Sequence, residues 1–376
     1  QKLHGDIIIP DSVEVIGTGA FYVTTGFDGE LQLSRSIKVI GVVAFAHCIK
    51  ITDTLRLPDT LEIIGHAAFY NCAKMTGSIK IPDRVERIPS HCFDHCLSLD
   101  GTIEIGAKVE SIDRYAFRYC KKLRGDLIIP DSVTHIGAVA FHALTGIKGT
   151  LSLSKKLTYI GAAAFHSMIN LEGTLSLPQT LETLGHAAFY RCEKLVGNIV
   201  IPPKVDRIYS HTFDQCRSMD GTLDIQGNIT HVDAYAFRLC DELVGNITLP
   251  GTVEVIGTAA FQFMRKMDGF LSMPNDVRVI GVAAFYYCPK LQGNMFLPDT
   301  VEFVGHAAYY MCQSITGSIK ITSKMEKIYS HSFDHMTSAD GTLDLGVMIT
   351  SIDRYAFRAC QKLTGDLDIP NSVDYI

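Results

Sequence analysis

Apolar and polar positions recur along the chain every 24 residues, with no insertion or deletion to break the count. In the stretch from Gly125 to Gly149, GDLIIPDSVTHIGAVAFHALTGIKG, the opening Gly is position 0 and Phe141 holds position 16. Phe21, Phe45, Phe69, Phe93, Phe117, Phe165, Phe189, Phe213, Phe237, Phe261, Phe285, Phe333 and Phe357 fill the same position elsewhere, with Tyr309 as the one variant. Apolar residues at positions 2 and 4, such as Ile7 and Ile9 or Leu127 and Ile129, flank a position 3 that takes any side chain. That alternation predicts a short strand with one buried side. The Pro that often follows, as at Pro10, Pro130 and Pro370, cannot donate to a sheet ladder and turns the chain. A second apolar pair at positions 8 and 11, such as Val13 with Ile16 and Val133 with Ile136, predicts a second short strand, usually closed by Gly at position 12. The Ala-Phe-x-x-Cys piece that comes next (Ala68, Phe69, Cys72) predicts a single helical turn packed on the sheet. A Leu, Ile or Met three residues on, such as Met75 or Leu123, closes the core.

A coil of this size cannot bury its apolar face alone and does so by stacking on its neighbours, so the fixed period predicts an α/β repeat solenoid continuous over residues 1–376. A longer period overlies the short one. PDTLEIIGHAAFYNC from Pro58, PQTLETLGHAAFYRC from Pro178 and PDTVEFVGHAAYYMC from Pro298 lie 120 residues apart. Blocks of five coils therefore run over 5–124, 125–244 and 245–364, with partial coils at 1–4 and 365–376. Residues 1–16 align with 361–376, which leaves two readings: a piece of a longer array, or ends that mate with other copies.

The pattern L-x-G-x-L-x-I-P-x-x-V-x-x-I-G-x-x-A-F-x-x-C resembles the BspA-like, or Treponema-type, leucine-rich repeat over the whole chain. In one coil the match is carried by Leu123, Leu127, Ile129, Pro130, Val133, Ile136, Gly137, Ala140 and Phe141, with Leu144 where Cys120 stands one coil earlier. The coil here is about one residue longer than the family's usual repeat. The resemblance implies a right-handed leucine-rich-repeat superhelix on a surface-exposed or secreted protein that acts in adhesion. It carries over no catalytic residue.

The three blocks differ in which candidate chemistry they keep. Ten of the eleven cysteines (Cys48, Cys72, Cys96, Cys120, Cys192, Cys216, Cys240, Cys288, Cys312, Cys360) share position 19, where Leu144, Met168, Met264 and Met336 also sit. A slot that accepts Leu and Met is a core slot; coil spacing still leaves neighbours such as Cys96 and Cys120 within disulfide reach. His91, Cys92, His95 and Cys96 have zinc-like spacing, but the counterparts Thr212, Gln215, Ser332 and Met336 dissolve the set, so no metal and no cofactor is expected. His66, His186 and His306 recur once per block and are expected to pack between coils. Asp94 and Arg118 share position 17 in successive coils, as do Asp214 with Arg238 and Asp334 with Arg358, which predicts three inter-coil ion pairs, weak if exposed. His91, His211 and His331 should then lie beside Tyr115, Tyr235 and Tyr355. Acidic residues stack at position 9 (Glu62, Glu86, Glu110) with Arg87 alongside, a solvated mixed-charge face rather than a calcium site.

Position 1 is mostly Thr, Ser, Asn or Asp, as at Thr102, Thr150, Asn198 and Ser318, which makes a polar ladder the expected working surface. Asn228-Ile-Thr and Asn246-Ile-Thr fit the N-glycosylation pattern, with Asn and Thr pointing outward. The balance of 34 Lys+Arg against 40 Asp+Glu gives net charge −6 and no global basic field for nucleic acid. Hydrophobic residues reach 47%, yet no run nears the roughly 18 that a membrane helix needs. The chain opens on Gln1, so a secretory leader is absent or lies outside the sequence. The reading is a non-enzymatic, extracellular or cell-surface protein that assembles end to end into filaments; the alternative is an adhesion module that grips a host or matrix protein, or glycans, through the polar face.

Overall fold

The computed structural model describes residues 4–52 and 54–376, so residues 1–3 of the opening partial coil lie outside the described residues. Two compact units divide the chain, Gln1–Leu195 and Val196–Ile376. Each is a parallel β-solenoid of 24-residue coils in which residue i pairs with residue i+24, as Ile136 does with Ile160 and Ile256 with Ile280. In the first unit, phenylalanine rings from Phe21 to Phe189 stack with centroids 5.1–5.5 Å apart. In the second, Phe213 to Phe357, through Tyr309, stack at 5.3–5.9 Å. Rings this size, stacked in a dry column, are the largest side chains buried between coils.

The expected helical turn is not there: no helix occurs among the described residues. Positions 14 and 18 of every coil have left-handed φ, 47° to 65° at non-glycine residues, for example Val43 and His47 or Tyr115 and Tyr119. A left-handed residue at every fourth place prevents α-helical bonding, and the N–H groups alternate direction instead. Val43, Phe45 and His47 donate to His66, Ala68 and Tyr70 of the next coil, while Ala44, Ala46 and Cys48 donate back to Gly41, Val43 and Phe45 of their own. The segment is thus a hydrogen-bonded ladder in its own right. Left-handed φ costs an L-residue about 1–2 kcal/mol, so Ala163→Gly (φ 53°) should be neutral or raise stability by up to about 1 kcal/mol. Ala164→Gly, at the buried right-handed neighbour, should lower stability by about 1 kcal/mol. Equal losses in urea midpoint for the two variants would contradict this backbone.

Position 12 explains the five-coil block. A Cβ on Gly137 would lie 2.5 Å from the backbone N of Arg114, so glycine lets adjacent coils close on each other. The same residue donates across the sheet, Gly41 to Ile16, Gly65 to Ile40, Asp113 to Ile88 and Gly137 to Ile112, at 2.7–2.9 Å. Pro89 has no N–H to give, and between Ile63–Ile64 and Arg87–Ile88 the strand pairing stops. The first unit therefore carries one sheet of three strands (Val15–Ile16, Val39–Ile40, Ile63–Ile64) and one of five, from Arg87–Ile88 to Thr183–Leu184. In the second, five strands run from Arg207–Ile208 to Phe303–Val304, and a new sheet starts at Lys327–Ile328. There Tyr329 takes the place of Gly and its ring packs 5.1 Å from Phe303. The turn ladder runs on across both breaks, with Phe69 N–H on Cys92 and Tyr309 N–H on Ser332.

Candidate functional site

The turn ladder carries the densest chemistry in each unit, and its left-handed residues aim it. His91 at position 14 and His95 at position 18 both turn back onto Asp94 between them. His91 Nδ1 lies 2.7 Å from Oδ2 and His95 Nδ1 2.7 Å from Oδ1. From the next coil Arg118 donates Nε to Oδ1 at 2.9 Å and Nη2 to Oδ2 at 2.8 Å. Asp94 is completely buried, whereas Arg118 is 24% exposed. The acid is buried, so the condition under which the pair would be weak, full exposure, is not met. In the second unit Asp334 receives His331, His335 and Arg358 at 2.6–3.1 Å, and Asp214 receives His211 and Arg238 at 2.7–2.9 Å.

An ionised carboxylate only accepts, so each of these histidines presents Nδ1–H inward and Nε2 outward. Burial alone would raise the Asp334 carboxyl, but the hydrogen bonds from Arg358, His331 and His335 outweigh it and hold the group below the ordinary range. The bond to Asp94 likewise raises the Arg118 guanidinium. Aromatic rings close the cluster: His91 stacks on Tyr115 at 4.6 Å, His211 on Tyr235 at 4.7 Å, and His331 meets Tyr355 at 5.0 Å. Arg118, Arg238 and Arg358 sit 4.5–4.8 Å from the centres of the same tyrosines. With its lone pairs occupied, the carboxylate works as a clamp between coils.

The zinc-like spacing comes apart in three dimensions. Cys92 and Cys96 point into the core while His91 and His95 face Asp94, and no group of three potential ligands converges among the described residues. His66 packs edge to face with His91, and His306 with His331, both at 5.6 Å. The position 19 thiols are free, Cys96 and Cys120 included. They donate to the Phe carbonyl of the preceding coil, Cys96 to Phe69 at 3.1 Å and Cys120 to Phe93 at 3.0 Å. Burial pushes the Cys192 thiol up to about 12, which removes its nucleophilicity.

The polar ladder is largely engaged in the backbone. Thr102 N–H donates to Ser78 Oγ, Thr222 N–H to Asn198 Oδ1 and Phe270 N–H to Asn246 Oδ1, at 2.8–3.0 Å. Asn228, Thr230, Asn246 and Thr248 are exposed on either side of buried Ile229 and Ile247. In the acidic column Arg84 reaches Glu62 at 3.3 Å. The structure adds a second recurring ion pair that the stacking of like positions does not predict. Arg87 contacts Asp113, Arg207 contacts Asp233 and Lys327 contacts Asp353, at 2.8–3.0 Å. The sequence carries its signal, since Asp replaces Gly at position 12 only in the coil that follows a basic residue at position 10.

His142 stacks on His166 at 4.6 Å beside Tyr119. Burial, then His166, Arg118 and Lys121, lower its imidazole to about 4 against the opposing pull of Asp94. Its contribution to stability is therefore present above the ordinary value near 6.5 and lost as pH falls towards about 4. His142→Phe should flatten the decline in Tm over that window; an unchanged pH profile would show that His142 does not carry it.

A family model described as BspA type leucine-rich repeat region matches residues 3–124, 124–244, 173–292 and 279–376. No curated protein matches the chain. Among solved structures, a leucine-rich repeat protein from Bacteroides ovatus is 25% identical with TM-score 0.52, over 84% of this chain and 81% of that one. A leucine-rich cell surface protein from Faecalibacterium prausnitzii is 22% identical with TM-score 0.41, over 96% and 78%. The coil register, the buried Phe column and the family match over nearly every residue agree, and the chain belongs to the BspA-type leucine-rich repeat family.

Proposed function

We propose that the protein is a non-enzymatic interaction scaffold, displayed at the cell surface or outside the cell, that binds a partner through the exposed rim of its turn ladder. One contrast carries the reading. The three buried clusters centred on Asp94, Asp214 and Asp334 have their acids committed to joining coils, while the exposed residues around them change from block to block. Arg114, Lys121 and Lys122 become Ala234, Asp241 and Glu242 in the second block, and Arg354, Gln361 and Lys362 in the third. Conserved clamps with divergent rims fit a scaffold that presents different contacts on one frame. The family resemblance and the outward Asn228 and Asn246 support an extracellular setting. The test is a panel of matrix proteins and glycans probed with the full chain and with chains whose rim residues are exchanged between blocks. Binding that follows the exchanged residues is the expected result; a chain that retains nothing on the panel at micromolar concentration overturns the reading.

End-to-end assembly is a second reading, and it is tested at the face of the last coil. Leu367 and Ile369 are 51% and 48% exposed, where the equivalent Leu127 and Ile129 are 0% and 2% exposed. A further coil, from a continuing chain or from another copy, would cover them. Leu367→Glu with Ile369→Glu should abolish any concentration-dependent growth in sedimentation velocity; growth that survives the double variant rules out this edge as the junction.

A further inference from the structure

The first block's rim differs from the others in charge, and its geometry is specific. Across the coil that starts at Gly101, cations and tyrosines alternate in one row. Arg114 lies 5.7 Å from the Tyr115 ring centre, Arg118 lies 4.5 Å from Tyr115 and 5.4 Å from Tyr119, and Lys121 lies 5.2 Å from Tyr119. Lys122 and Arg124 follow directly and are exposed, as are Arg114 and Lys121. The nearby acids are already committed: Asp94 is buried under Arg118, Asp113 takes Arg87, and Asp100 takes Arg124 at 3.5 Å. Among the described residues Arg114, Lys121 and Lys122 have no ion-pair partner.

We propose that this row is a docking site for a linear anionic polysaccharide. The inference rests on the scaffold reading above and names the ligand class for one rim. Cations in a line across a single coil match a single extended polymer carrying charges at intervals. Single-stranded nucleic acid would need an open aromatic face on which to stack a base. Both rings are already engaged: Tyr115 carries His91 stacked on it and the Arg118 guanidinium over it, and Tyr119 carries the Arg118 and Lys121 cations over its ring with His95 and His142 against it. Recognition here is by charge. The second block supplies an internal control, because Ala234 and Leu239 replace Arg114 and Tyr119, and Asp241 and Glu242 reverse the two lysines. Asp241 is itself held by Arg217 at 3.5 Å and Arg265 at 3.8 Å.

The experiment uses the full chain with heparin, which carries sulfates, and hyaluronan, which carries carboxylates only, titrated by calorimetry from low to physiological salt. Binding to at least one is expected, weakening with salt at a log–log slope of roughly −2 to −3 for three or four displaced counterions. Tighter binding to heparin assigns sulfate as the recognised group, and equal binding assigns carboxylate. The variant Arg114→Ala/Lys121→Asp/Lys122→Glu, which copies the second block, should lose at least tenfold in affinity with unchanged Tm. The reciprocal Ala234→Arg/Asp241→Lys/Glu242→Lys should gain affinity. No binding to either polymer at low salt, unaltered binding by the triple variant, or equally tight binding of duplex DNA overturns the proposal. Retained binding to other panel members would leave the scaffold reading standing.

Discussion

Phe117→Ala is expected to remove about 3–5 kcal/mol of stability. The ring is fully buried and lies 5.4 Å from both Phe93 and Phe141. Its removal opens a void against two coils at once, and neither can collapse into it without breaking the inter-coil bonds of the turn ladder, such as Phe93 N–H to Ala116 and Phe117 N–H to Ala140. Because each coil touches only its neighbours, the damage should be local. Hydrogen exchange at Phe93, Phe117 and Phe141 should accelerate far more than at Phe45. Phe357, partly exposed and stacked on Phe333 alone, should lose much less on truncation. Equal unfolding midpoints for Phe117→Ala and Phe357→Ala would mean that the column is not what binds the coils.

Asp94→Ala should lower stability by about 3 kcal/mol, since it leaves Arg118 and two histidines facing a space with no acceptor. Asp94→Asn should lose less, as its one carbonyl oxygen still accepts. In the second unit the counterpart Asp334 gives the clamp a pH signature. Its carboxyl is held below its unfolded value, so its contribution is complete above about pH 4 and disappears as pH falls through the lower folded value. Asp334→Asn should abolish that part of the acid transition. An acid unfolding curve identical to the parent's would mean the carboxylate is not ionised in the fold.

Much of this architecture was written in the spacing. The Phe column, the two strands and the pairing of Asp94 with Arg118 all follow from a side chain meeting its equivalent 24 residues later, which only stacked coils permit. What spacing could not disclose was backbone sign. Left-handed φ usually announces itself through Gly or Asn, but here the positions hold Val139, His91, Tyr115 and Phe263. Inter-coil bonding over-determines their conformation, so local preference loses and the residue type carries no signal. Read as a helical turn, His91 and His95 share a face; with left-handed backbone they bracket one carboxylate. The polar ladder misled for a related reason. Ser78 and Asn198 look free in sequence because the groups they satisfy, the backbone N–H of Thr102 and Thr222, are invisible there.

The missing strand pair at Pro89 bears on how such a chain could grow. Gene duplication inserts whole segments, and an insertion survives only if its borders fit what they land against. A cut between Ile64 and Arg87, or between Val304 and Lys327, severs no rung of the second-strand sheet, because none joins those strands, while a cut between two paired strands of that sheet would oblige two foreign strands to mate. Lengthening by 120 residues at a time is then the tolerated step in the lineage, and natural variants of this protein should differ in length by multiples of five coils rather than one.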